Sequence, residues 1–175
     1  MSKKRTIALT ISAIAVALGI GAQFYTNHKI DQVLKNFPYS LDNQATLNVT
    51  QTAKNFFIRE LIFSVKDSDA KSTNVISTKL TALPFFITAE SQLSEQLVRQ
   101  LNKTLNITID KNTINSKFSP VGDYLQSDIL TEFRDFANKS QNLSIGLNFL
   151  KNKEVELKTT LSGFNYDKDT KLEEI

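Results

Sequence analysis

LSIGLNFLKNKEVELKTTL, residues 143–161, decides the fold class. Leu143, Ile145, Leu147 and Phe149 alternate with Ser144, Gly146 and Asn148. After Lys151, Asn152 and Lys153 the pattern returns in Val155, Leu157, Thr159 and Leu161. Successive strand side chains point to opposite faces, so this spacing predicts two antiparallel strands sharing one apolar face across a polar turn. The same period recurs upstream. Leu47 and Val49 alternate with Asn48 and Thr50, and Leu61, Phe63 and Val65 with Ile62, Ser64 and Lys66, which reads as a hairpin linked by polar residues 52–55. Residues 66–73 read as a turn and 74–82 as a third strand, with Pro84 breaking or edging the ladder before Phe85, Phe86 and Ile87.

Helical spacing competes with this pattern further on. Ser91 as a cap, Glu95 in the first turn, and Leu93, Leu97 and Leu101 four apart predict a short helix over 91–101. Leu105, Ile107 and Ile109, a turn at Asp110, Lys111 and Asn112, and residues 113–118 predict a further hairpin, ended by residues 119–122. Residues 123–138 satisfy both periods: Leu125, Ile129, Phe133, Phe136 and Ala137 fit a helix capped by Asp123, while Leu125, Ile129, Thr131 and Phe133 permit a strand. The helix is preferred. The expected fold is α+β and β-dominated, a mainly antiparallel sheet with one or two packed helices, preceded by a transmembrane helix.

That helix is expected in TIALTISAIAVALGIGAQFY, residues 6–25, a run without a charge that follows Lys3, Lys4 and Arg5. As a helix it measures roughly 30 Å, the thickness of a bilayer's hydrocarbon core. Its ends are Thr6 and Tyr25. The basic flank places the N-terminus in the cytoplasm and the bulk of the chain outside. A cleavable signal peptide is the alternative, with a tolerable site at Ile20, Gly21 and Ala22. The length of the run and its closing aromatics, Phe24 and Tyr25, favour an uncleaved anchor. Residues 28–37, HKIDQVLKNF, place Ile30, Val33, Leu34 and Phe37 on one helical stripe closed by Pro38. The expected organisation is a cytoplasmic tail at 1–5, a signal anchor at 6–25, a juxtamembrane amphipathic helix at 26–38 and a periplasmic β-rich domain at 39–175.

The formal charge of +3 comes from the tail: without Lys3, Lys4 and Arg5, 18 basic residues balance 18 acidic ones. A neutral exported domain does not neutralise phosphates, so nucleic acid is not an expected partner. Cysteine is absent, so this domain holds without disulfides, as suits a bacterial envelope protein. Sequons at Asn48, Asn102, Asn106, Asn138 and Asn142 follow from an asparagine-rich composition.

No cysteine and one histidine, His28, leave no thiol chemistry and no usual zinc motif. His28 reads as an interfacial polar residue. Asp67 with Asp69, and Asp167 with Asp169, resemble the start of a calcium loop but lack its glycine and its closing acid, and read as solvated turns. Glu154, Glu156 and Lys158 share one strand face as surface charge. Glycines 19, 21, 122, 146 and 163 form no phosphate-cradling loop. Phe56 with Phe57, Phe85 with Phe86, and Phe133 with Phe136 are expected in the core. No catalytic residue, cofactor or metal ligand is expected.

The basic tail, the span running into HKIDQVLKNF and the paired strands around FFIRELIFSV (56–65) resemble the YdgA/YihF family of uncharacterised bacterial proteins. The likeness covers the N-terminal part of those longer chains. Of the family's His-Gly-Pro-like step, Ala82, Leu83 and Pro84 keep the proline. The resemblance implies an inner-membrane tether, a periplasmic β-rich body and no catalytic residues to carry over.

The leading functional expectation is a non-enzymatic, single-pass inner-membrane protein whose periplasmic domain binds a protein partner or envelope component. A second copy of the chain, meeting the C-terminal strand edge, is one such partner. The alternative is a lipid-handling module with an apolar groove, and a further alternative a carboxylate-based hydrolase. A continuous apolar groove opening near the anchor would favour lipid. A filled core with a bare strand edge would favour protein.

Overall fold

A computed structural model of the chain describes residues 3–41, 45–68, 71–119, 124–149, 154–167 and 171–172, with side chains from residue 18 to residue 167. Helix α1 (Lys3–Leu34) leads into β1 (Tyr39–Ser40), β2 (Thr46–Lys54), β3 (Ile58–Lys66), β4 (Ser72–Leu83) and β5 (Phe86–Leu93). Helix α2 (Glu95–Leu105) precedes β6 (Thr108–Ser119), β7 (Tyr124–Arg134), β8 (Ser140–Phe149) and β9 (Val155–Leu161). The short strands β10 (Phe164–Asn165) and β11 (Lys171–Leu172) close the described chain. Strands β1 to β9 form one antiparallel sheet in strict chain order, and β10 pairs with β11. The result is the β-dominated α+β arrangement that alternation predicts.

Cross-strand register sorts the sheet into two chemically different faces. One row runs Ala82, Ile87, Phe118, Leu125, Phe149 and Val155 across β4 to β9. The row two residues further from the tips holds Leu80, Ala89, Ser116, Ser127, Leu147 and Leu157 on the same face. One step beyond these rows, on the other face, Glu60, Lys79, Glu90, Asn115, Asp128, Gly146 and Lys158 lie side by side. One face is therefore apolar from β4 to β9, and the other is polar.

Helix α1 covers the β3–β5 part of the apolar face. Ile30 is buried with Leu61, Leu80, Ala82 and Ile87, and Leu34, Val49, Phe63 and Phe118 pack around them. At the helix end, Lys35, Asn36 and Phe37 donate backbone hydrogen bonds to Asp31, Val33 and Leu34, and Pro38, which has no N–H, follows. The amphipathic stripe over 28–37 thus continues the first helix and docks on the sheet. Among the described residues no helix is long and apolar enough to cross a membrane. Of the expected span from Thr6 to Tyr25, the side chains of residues 6–17 lie outside the described residues, as do those of Lys3, Lys4 and Arg5.

Three local expectations are corrected. Where a helix is expected over 123–138, Tyr124–Arg134 form strand β7, paired with β6 and β8, while the expected cap Asp123 lies outside the described residues. The expected turn at Asp110, Lys111 and Asn112 is a bulge within β6, where Arg134 grips Asp110 at 2.9 Å and Lys111 faces Glu132. The helix expected over 91–101 begins later: Ser91 to Leu93 finish β5, and Ser94 caps α2 by accepting from the Leu97 N–H at 3.1 Å. Asn106, left-handed at φ 53°, closes that helix.

Candidate functional site

The apolar face is the strongest candidate because it is more than a core. Beneath the last turns of α1 lies a cavity of about 520 Å³, lined by Ile30, Val33, Leu34, Phe63, Leu80 and Phe118 among others. Away from the helix the face opens to solvent: Phe149 is 37% exposed, Val155 60% and Leu157 65%. Small hydroxyl residues line its middle. Thr78 pairs with Ser91 at 2.8 Å, and Ser116 with Ser127 at 2.8 Å, one hydroxyl of each pair donating and the other accepting.

One end of this face is fixed to α1 by a buried polar stitch. Gln23 donates from Nε2 to the carbonyls of Phe56 at 3.1 Å and Ala82 at 2.9 Å. Thr26 accepts at Oγ1 from the Phe85 N–H at 3.2 Å. Asn27 donates to Phe56 O at 2.9 Å. Arg59, fully buried, pairs with Asp31 and donates from Nη2 to Asn27 O at 3.2 Å and Asn27 Oδ1 at 3.1 Å. The hydrogen bond from Arg59 holds the Asp31 carboxyl below its usual pKa against partial burial, with Lys54 assisting at 3.2 Å. These contacts tie the helix to the β2–β3 and β4–β5 tips, with which hydrophobic packing alone would leave its rotation loosely set.

The residues singled out for chemistry do not come together. His28 is exposed and lies 3.0 Å from Gln32. Asp67 accepts from the Lys71 N–H at 2.9 Å as a turn cap; Asp69 and Asp169 lie outside the described residues. Glu154, Glu156 and Lys158 are exposed. Among the described residues no three metal-ligating side chains cluster. On the polar face a groove of about 470 Å³ holds Glu60 and Glu90, but Lys79 stands between them in the register. The phenylalanines divide: Phe133 is buried and stacks edge-on with Phe164 at 5.4 Å, whereas Phe56, Phe57, Phe85, Phe86 and Phe136 are exposed rather than core.

Sequence reasoning missed the polar stitch. Its signal was present, because Arg59 shares the inward phase of Leu61 and Phe63, an improbable place for an unpaired cation. The chain matches no family model, no curated protein and no solved structure.

Proposed function

We propose that this chain is a single-pass bacterial envelope protein that holds the acyl chains of lipid on its sheet. Thr6 to Tyr25 crosses the inner membrane with Lys3, Lys4 and Arg5 on the cytoplasmic side, and the sheet lies in the periplasm. The observation that carries the reading is the unbroken apolar row from Ala82 to Val155, which meets the cavity under α1 at one side and solvent at the other. A single-layer sheet that exposes such a row needs an apolar occupant. The polar opposite face, with its alternating Glu60, Lys79 and Glu90, suits water.

The test is photocrosslinking of the full chain in native membranes, with p-benzoylphenylalanine placed at Leu147 on the apolar face or at Asn148 on the polar face. Lipid adducts detected by mass spectrometry at position 147 and absent at 148 are expected. Equal labelling at both positions would refute an acyl-binding face.

A second reading, binding of a protein at the sheet edge, has its own support. The described residues pair no strand with the outer side of β9. An antiparallel two-fold about Leu157 would set Glu156 of each copy against Lys158 of the other and join two apolar faces. Leu157→Cys in this cysteine-free chain should then give a disulfide-linked dimer under mild oxidant, and a chain that stays monomeric sinks the self-association reading.

A further inference from the structure

We infer that the β2–β3 and β4–β5 hairpin tips enter the membrane interface as two diphenylalanine wedges beside the helix. The inference rests on the anchor and lipid-holding face proposed above, and deepens them by naming the part of the domain that touches the bilayer. Phe56 is 39% exposed, Phe57 49%, Phe85 54% and Phe86 42%, although twelve phenylalanines compete for the same small core. Both tips are level with the end of the uncharged run: Gln23 and Thr26 bond to them directly, and Phe24 stacks edge-on with Phe56 at 5.4 Å. Phe24 and Tyr25 are themselves 62% and 43% exposed. Six aromatic rings therefore meet solvent at one height, where a bilayer's headgroups would meet a spanning helix.

The opposite end of the sheet is chemically different. Its β3–β4 turn carries Asp67 and Lys71, its β7–β8 turn carries Asp135, Asn138 and Lys139, and its exposed aromatics, Tyr39, Phe136 and Tyr166, stand singly rather than as pairs on hairpin tips. Backbone geometry adds an independent sign. Phe85 sits at φ 68° after Pro84 in a two-residue tip, a left-handed position that suits glycine and that a bulky residue rarely takes. A ring kept there, half in solvent, serves something outside the domain. Lipid is the partner that accepts uncharged aromatic tips without a matching pocket. The row from Ala82 to Val155 lies next to these tips, so their insertion sets the open apolar face directly above the acyl layer.

Absence of native cysteine makes the test clean. The full chain carrying Phe57→Cys, Phe86→Cys, Lys71→Cys or Ala15→Cys is labelled with NBD and reconstituted into phosphatidylcholine–phosphatidylglycerol vesicles containing nitroxide lipids, with circular dichroism checking the fold. Quenching at 57 and 86 several-fold above that at 71, with blue-shifted emission, is expected. Quenching at 15 but not at 57 or 86 would overturn the wedges and leave the anchor standing. No quenching at 15 would overturn the anchor and the wedges together, while lipid capture at position 147 reports separately on the acyl-binding face.

Discussion

Replacing Phe85 by glycine and by alanine separates what its backbone costs from what its ring does. At φ 68° a residue with a Cβ is disfavoured by about 1–2 kcal/mol, a penalty glycine escapes. Glycine gives back about 0.5–1 kcal/mol through its freer unfolded chain. The glycine variant should therefore be more stable than the alanine variant by roughly 0.5–1 kcal/mol, the reverse of the order at ordinary strand or helix positions. Thr26 keeps its bond to the backbone N–H of residue 85 in both. Urea unfolding of the full chain in detergent, followed by circular dichroism because tryptophan is absent, measures the difference. Both variants lose the ring equally. With 54% of it exposed, and a phenylalanine presenting about 200 Å², some 100 Å² of apolar surface at ~25 cal/mol per Å² corresponds to about 2.5 kcal/mol of transfer to lipid. An alanine variant as stable as the glycine variant would refute the claim that this backbone position is strained.

Asp135 is expected to shape the acid limb of stability. Burial pushes its carboxyl up, but the backbone N–H groups of Lys139 and Asn165 and the side chains of Asn165 and Gln141 outweigh that and hold it down to about 2. A lowered pKa stabilises above the unfolded value near 3.9 and loses that contribution as pH falls from about 4 toward 2, so Asp135→Asn should flatten an acid-denaturation curve in that window. Arg59→Met should cost about 2–3 kcal/mol, below the usual figure for a broken buried pair because Asp31 is 40% exposed and can rehydrate, and denaturant melts would show it. Gly146→Ala should stabilise by about 0.5–1 kcal/mol in the same assay, since the added Cβ meets Asp128 Oδ1 at 3.7 Å and Lys158 Cβ at 4.0 Å without strain.

Strands were legible where alternation was strict, as at 143–149 and 155–161. Strand β7 was not, because its inward side chains read Leu125, Ser127, Ile129, Thr131 and Phe133. Hydroxyl residues at every second inward position leave apolar ones four apart, which is also helical spacing. Local turn chemistry misled at Asp110 to Asn112, where cross-strand partners Arg134 and Glu132 hold the segment extended around a bulge. The tips were hidden for another reason. Apolar composition alone assigns paired phenylalanines to a core, whereas Asn55, which accepts from the Phe57 and Ile58 N–H groups, and Pro84 set them in turns. The continuity of the apolar face depends on register across six strands, which no single stretch of sequence displays.

Every strand from β1 to β9 pairs only with the strands before and after it in the chain. No pairing has to wait for a distant segment to arrive, so loop-closure entropy stays small at each step and the sheet can grow by accretion. A chain delivered N-terminus first would seat its helix, raise the β2–β3 hairpin against it, and then lay down each later strand on an edge already formed. Assembly in the order of synthesis limits the time for which any one edge stands bare to neighbouring chains.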